Sequence, residues 1–203
     1  MAAIEDAQWL VAGLGNPGPT YVRTRHNVGF AVVERLAAAG AAGFSAANYE
    51  SEVALLCLPP TSVLLLKPQT FMNRSGAAVA GWLLRLGLPA ERLVVVHDDL
   101  DLRVGQLRVV ISAGAGGHRG VLSVQDALGR EGFPRVRIGI GRPANGEAPA
   151  DRVLAEIAPE ELPVLVDALA RAADAVCSLI LEGPASAMNR YNVRQGSDGD
   201  PLA

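Results

Sequence analysis

Three histidines stand among the 203 residues, and each sits in a segment rich in carboxylates, carboxamides or glycine. An imidazole near its ordinary pKa of ~6.5 can take a proton from water at neutral pH, so each is a candidate base. His26 closes a polar stretch that runs from Asn16 through Tyr21 to Thr24-Arg25-His26-Asn27. His97 opens His97-Asp98-Asp99-Leu100-Asp101. There a carboxylate can accept an imidazole Nδ1–H, fix the tautomer and stabilise the imidazolium. The same residues allow a metal reading, since His and Asp both ligate divalent ions. Strand alternation opposes it, sending His97 and Asp98 to opposite faces. No HxH, HExxH or second carboxylate cluster completes a ligand set. The expectation is no metal and no cofactor.

Two further segments could serve a site. Lys67-Pro68-Gln69-Thr70-Phe71-Met72-Asn73-Arg74-Ser75-Gly76 leaves an apolar run and enters a helix-like one. Thr70 is the expected N-cap, which puts Asn73 in the first turn. A carboxamide there can bind a carbonyl, orient a water or stabilise an oxyanion; it can equally be a plain polar helix start. Ser112-Ala113-Gly114-Ala115-Gly116-Gly117-His118-Arg119-Gly120 lacks the Gly-Lys-Ser/Thr of a phosphate-binding Walker loop. It reads either as a mobile loop over a ligand or as a glycine-rich connector.

The elements that must position these residues alternate between strand and helix. Strands are expected near 8–13, 52–58, 62–67, 93–97, 106–111 and 135–140, and helices near 27–39, 71–87, 119–129, 159–182 and 184–191. Val94-Val95-Val96 and Leu64-Leu65-Leu66 read as central strands covered on both faces. Pro59-Pro60-Thr61 joins 52–58 to 62–67 as an antiparallel pair. In the long C-terminal helix Leu162, Leu165, Val166, Leu169, Ala173, Val176 and Ile180 recur at spacings of three and four, which marks a core face. The fold class is α/β: a single-domain, mixed twisted β-sheet with helices on both faces. The domain is expected over 1–194, with 195–203 as a disordered tail.

Gly13-Leu14-Gly15-Asn16-Pro17-Gly18 matches the dinucleotide-binding pattern GxGxxG after a strand. That pattern needs a helix N-terminus immediately after the glycines to hold a pyrophosphate. Pro17 and Pro19 bracket Gly18 and bias their preceding residues away from helix. The helical pattern starts only at Val28. A nicotinamide oxidoreductase therefore rests on glycine spacing alone.

Half of the residues are apolar, which excludes a mainly disordered chain. No apolar run nears the roughly 20 residues of a membrane span. No basic-then-apolar leader opens the sequence, so a cytoplasmic location is expected. Cys57 and Cys177 lie among aliphatic residues and read as buried, reduced thiols. The formal net charge is −3, yet residues 103–142 hold seven arginines against Asp126 and Glu131, a local +5 that leaves −8 for the remainder. Such a region can attract a phosphate backbone if its arginines share a face.

Together these segments resemble bacterial peptidyl-tRNA hydrolase. The residues that carry the likeness are Leu14-Gly15-Asn16-Pro17-Gly18 with Tyr21 and Thr24-Arg25-His26-Asn27; Thr70-Phe71-Met72-Asn73 with Ser75-Gly76; His97-Asp98-Asp99-Leu100-Asp101; Gly116-Gly117-His118 with Gly120; Arg137-Ile138-Gly139-Ile140-Gly141; and Met188-Asn189-Arg190. They run in order from about residue 8 to 194. The resemblance implies a phosphorylase/hydrolase-like fold and a metal-independent ester hydrolase that frees tRNA from peptidyl-tRNA; a monomer is the default expectation for a small enzyme with a bulky substrate. It implies His26 as general base, Asp98 as its supporting carboxylate, and Asn16 as the group that senses the acylated amino end. Tyr21, Phe71 and Asn73 would lie around the scissile ester. His118, Arg119 and Arg137 would meet the tRNA at its 3′ end and acceptor stem. No membrane and no obligate protein partner are implied.

The chain departs from the family pattern at Arg119, where asparagine is usual, at Ala115, where histidine is common, and at Val110, where a basic residue can occur. Arginine offers five donors and a charge but no acceptor. A hydrolase-like RNA-binding module without activity, as among the family's plant organelle splicing relatives, is the alternative reading.

Overall fold

The computed structural model describes residues 3–143 and 146–192. Seven strands form one sheet: β1 (Trp9–Gly13), β2 (Ser45–Ala47), β3 (Ser51–Leu58), β4 (Thr61–Pro68), β5 (Leu93–Asp99), β6 (Leu107–Val110) and β7 (Arg135–Gly139). Their order is β2-β3-β4-β1-β5-β7-β6. β4, β1, β5 and β7 run parallel, while β2, β3 and β6 pair antiparallel to their neighbours. This is the mixed sheet expected, with the antiparallel hairpin β3–β4 where it was read.

Period-two alternation divides the central strands between two cores. Val11, Leu65, Val94, Val96, Val136 and Ile138 face α1 (Val28–Ala39) and α5 (Leu162–Leu181). Leu10, Leu64, Leu66, Leu93 and Val95 face α2 (Ser75–Leu86) and α3 (Arg119–Leu128). Burial on both faces explains why these strands read as continuous apolar runs. Two short elements had no signal in the sequence: β2, with three small residues, and α4 (Pro149–Leu154). α6 (Pro184–Tyr191) ends the described chain near Asn192. The tail expected at 195–203 lies outside the described residues.

Three local expectations are corrected. Thr70 does not cap a helix: a 3-10 turn, Met72–Arg74, precedes α2, Phe71 takes the N-cap place, and the buried Thr70 Oγ1 has no partner among the described residues. The buried face of α5 is built on Leu165, Ala168, Ala172, Ala175, Val176 and Leu179, whereas Leu162 and Val166 are about half exposed. Close approach to α1 and the sheet selects alanine there, and periodicity counted on large residues misses it. Cys57 is exposed and Cys177 half-buried, because strand alternation turns Cys57 away from the core.

The architecture opens one edge for a site. The chain leaves β1 into residues 14–27, β4 into 69–74 and β5 into 100–106, all at carboxyl ends of parallel strands. Open α/β sheets hold ligands at such ends.

Candidate active site

The chain leaves β1 as a strand extension, with the Leu14 N–H donating to the Val96 carbonyl at 2.9 Å. Gly18 then sits at φ +103°, which an L side chain rarely adopts, and Pro19 opens a 3-10 turn over Pro19–Tyr21. A second 3-10 turn, Arg25–Asn27, leads into α1. No α-helix follows the glycines directly, as the prolines required. The loop instead folds back and buries Asn16, Arg25, His26 and Asn27.

His26 and Asp98 meet across that edge. His26 Nδ1 lies 2.8 Å from Asp98 Oδ1, and His118 Nε2 lies 2.9 Å from the same oxygen. Burial works to raise the Asp98 pKa, but both imidazoles outweigh it and hold the carboxyl well below the usual carboxylate range. An ionised Asp98 can only accept, so both facing ring nitrogens carry the proton. His118 is fixed independently, since its Nδ1 accepts the Gly120 and Val121 backbone N–H groups at 3.2 Å. A ring whose Nδ1 caps a helix and whose Nε2 donates to Asp98 is neutral. With Nδ1–H spent on Asp98, His26 presents Nε2 as an acceptor, and no described residue bonds it. The pair has the form of a base with its orienting carboxylate.

All three histidines converge, which the sequence did not reveal. The His118 ring lies 5.0 Å from that of His26 and 4.7 Å from that of His97. His97 donates from Nδ1 to the Asp98 carbonyl at 2.6 Å, while its Nε2 is buried without a partner among the described residues. Burial, then the neighbouring His118, press its pKa well below the ordinary histidine value. His97 therefore stays neutral and packs behind the site.

Asn16 is held by its backbone and its side chain. Its N–H donates to Asn27 Oδ1 and its carbonyl accepts from Asn27 Nδ2, each at 2.9 Å. Its own Oδ1 accepts the Met72 N–H at 2.8 Å. That contact fixes which carboxamide atom is oxygen, and it leaves the Nδ2 donors free of any described partner. Asn27 had been noted only as part of a motif; its pairing with Asn16 is what welds the loop.

The other expected site residues divide. Phe71 and Asn73 flank Met72 and are exposed, Phe71 by 57%. Tyr21 is half-buried, and its carbonyl accepts from Thr24 Oγ1. Arg119 follows His118 at the start of α3, exposed and without an ion-pair partner among the described residues. Arg137 is committed to Asp99 through its Nε. Arg135 is not a surface cation at all: it is 1% exposed and donates to the Ala113 and Gly114 carbonyls. With Gln125, which also bonds Ala113, it anchors the glycine-rich loop that delivers His118. Arg130 pairs with Glu91 and Arg142 with Asp101. Of the seven arginines, only Arg103, Arg108 and Arg119 are free of such commitments among the described residues.

His26, Asp98 and His118 each offer one ligand atom, all within 4.8 Å of one another. A metal there would displace both N–H···O bonds to Asp98. Those bonds account for the cluster's spacing as it stands, at ordinary hydrogen-bond lengths.

A family model described as peptidyl-tRNA hydrolase matches residues 10–198. A peptidyl-tRNA hydrolase of Chloroflexus aggregans is 48% identical over 91% of this chain and 98% of its own length. The chain belongs to the peptidyl-tRNA hydrolase family. A peptidyl-tRNA hydrolase of Anaeromyxobacter dehalogenans is 45% identical over 91% of the chain and 96% of its own length. The crystal structure of the Acinetobacter baumannii peptidyl-tRNA hydrolase superposes with a TM-score of 0.86 at 31% identity, covering 95% of this chain and 98% of that one. Among the described residues no helix is long and apolar enough to cross a membrane.

Proposed function

We propose that this peptidyl-tRNA hydrolase family member cleaves the ester between a peptide and the 3′ ribose of tRNA, with His26 as general base. The observation that carries the proposal is the 2.8 Å contact between His26 Nδ1 and Asp98, with Nε2 left unbonded among the described residues and so able to accept from a water. Nε2 takes a proton as the water oxygen attacks the ester carbonyl. The tetrahedral intermediate collapses, the C–O bond to the ribose breaks, and the imidazolium returns the proton to the leaving 3′ oxygen. Asp98 holds the ring and stabilises its charged form throughout.

Asn16 supplies a selection rule. Its Oδ1 already accepts the Met72 N–H, and its two Nδ2 donors, unengaged among the described residues, are what it offers toward substrate. A blocked amino group brings an amide carbonyl, an acceptor that Nδ2 can bond. The free ammonium of an ordinary aminoacyl-tRNA carries only donors and would face a donor. Exposed Phe71 offers a ring on which the terminal base can stack, and Tyr21 and Asn73 complete the surroundings of the ester.

The acceptor stem is assigned to the groove at the β6 edge, about 540 Å³, lined by Arg108, Arg137, Met188 and Asn192 among others. Arg108 and Arg119 supply charge to phosphates, a contact indifferent to sequence. His118 shapes the site through Asp98. A monomer acting in the cytoplasm without metal belongs to the same proposal.

The test is release of an N-blocked amino acid from its tRNA by the purified protein, with and without EDTA. Release unaffected by EDTA is expected, and His26→Ala should lower the rate by roughly 10²–10⁴-fold. No release by the wild type would leave the RNA-binding module as the better reading. Loss of release in EDTA would restore the metal reading, and full activity in His26→Ala would remove the base.

A further inference from the structure

The loop that carries His26 is fastened from a part of the chain more than a hundred residues away. Arg25, the residue before His26, is only 3% exposed. Its Nε donates to Glu161 Oε2 at 3.0 Å, and Nη2 donates to the same oxygen. Nη1 donates to the Glu156 carbonyl at 2.8 Å and to that of Ala155 at 3.3 Å. Glu161 Oε1 in turn accepts from Arg152 Nη2 at 2.7 Å, and that nitrogen also reaches the Ile140 carbonyl. Backbone bonds run beside these contacts: Arg25 N–H to the Ala155 carbonyl, and Ile157 N–H to that of Arg23. One carboxylate at the head of α5 thus clamps two guanidinium groups, one of them joined by a single peptide unit to the base.

We infer that Glu161 is a positioning residue for His26, acting through Arg25, and this rests on His26 being the base. Among the described residues no other carboxylate pairs with Arg25. Arg25 has five N–H donors, and of their acceptors only Glu161 carries charge. A guanidinium this buried keeps its place only while it is paired. Without Glu161, Arg25 must move toward water and carry the 3-10 turn Arg25–Asn27 with it. Asp98 sits on β5 and does not move with that turn, so the His26–Asp98 bond is the contact that lengthens. Displacement of a catalytic group by about 1 Å can cost about 10²-fold in rate. Asn16 is bonded through its backbone to Asn27 of the same turn, but its side chain is held separately by the Met72 N–H and Phe71 lies on another segment, so the loss falls chiefly on kcat.

The test uses the full chain with Glu161→Gln, Arg25→Lys and the double variant. Glu182→Gln, which breaks an exposed pair with Arg190, serves as control. Release of an N-blocked amino acid from tRNA is measured well below each melting temperature. Imidazole ¹⁵N–¹H spectra report the tautomer of His26 independently of turnover. Glu161→Gln is expected to lower kcat by about 10–100-fold with KM within about twofold, and to turn the single Nδ1–H form of His26 into a mixture. Arg25→Lys should do the same, and the double variant should lose no more than the worse single one, since both break one unit. Unchanged kcat and an unchanged His26 spectrum in Glu161→Gln would overturn the inference, as would losses that multiply in the double variant. If Glu161→Gln does not fold, Arg25→Lys with its spectrum decides alone, and a wild-type His26 signal with normal kcat refutes the inference. A fully active His26→Ala would instead refute the base itself, whatever the spectra of the Glu161 variants show.

Discussion

At the scale of single residues the site is a problem of protons held in place. Asp98 accepts from two imidazoles through one oxygen, and His118 is locked as a neutral donor because its other nitrogen caps α3. His97 packs behind them, facing His118, Asp98 and Arg135, and its pKa is pressed below the ordinary value by burial first and His118 second. The unfolded chain binds a proton at this residue below about pH 6.5, and the folded chain resists it. Its contribution to stability is therefore complete above about pH 6.5 and is lost as the pH falls toward the lower folded value. The melting temperature should drop between pH 7 and pH 5, and His97→Asn should flatten that drop. An equally steep slope in the variant would rule His97 out as the cause. Asp98 acts in another window: its depressed pKa stabilises above about pH 3.9 and loses effect only in stronger acid.

At the scale of elements, what positions the site is how closely backbones can approach. Gly29, in the first turn of α1, packs where an added Cβ would lie 2.5 Å from the Leu14 backbone and the Val96 carbonyl. Those atoms belong to β1's exit and to β5, the elements that present Asn16 and Asp98. Gly29→Ala should therefore cost about 3 kcal/mol and lower activity as well, measured by urea unfolding beside peptide release. A variant within about 0.5 kcal/mol of wild type would show that α1 can shift freely. Gly76 plays the same part between α2 and α3, against the Ser123 carbonyl. The edge strand β6 is closed differently. The Asn192 side chain accepts the Val109 N–H at 2.6 Å and donates to its carbonyl at 2.9 Å, taking the place of a neighbouring strand.

At the scale of the whole molecule, an acidic protein must hold a polyanion. Most arginines in the window 103–142 are spent on acids or on loop carbonyls, so the field available to tRNA is narrower than their number suggests. Binding should depend on salt with a slope set by a few phosphate contacts. Replacing Arg108, which lines the β6 groove, by glutamine should reduce the slope of log Kd against log salt by about 0.9. Titration of tRNA binding across potassium chloride concentrations checks this; an unchanged slope would move the acceptor stem to another face.

Much of this protein could be read before any coordinates. Among the described residues, the alternation of apolar runs and helical periodicity located six of the seven strands and five of the six α-helices, because each buries a face with a regular period. Pro17 and Pro19 told that the glycines would not open a helix, since proline's constraint on its neighbour is local. Asn16, His26 and Asp98 stood out as polar groups at strand ends, but the pairing of His26 with Asp98 was implied by the family resemblance and not by spacing, since the two lie 72 residues apart. The rest depended on contacts between segments far apart in the chain. The sequence does not say that His97 and His118 join His26, that Arg135 is buried beneath a loop, or that Cys57 faces outward. It does not say that Glu161 reaches back to the residue beside the base. Local patterns fix periodicity and backbone bias, whereas a shared oxygen between two imidazoles, or a carboxylate between two guanidinium groups, exists only once the sheet order has brought their strands and loops to one edge.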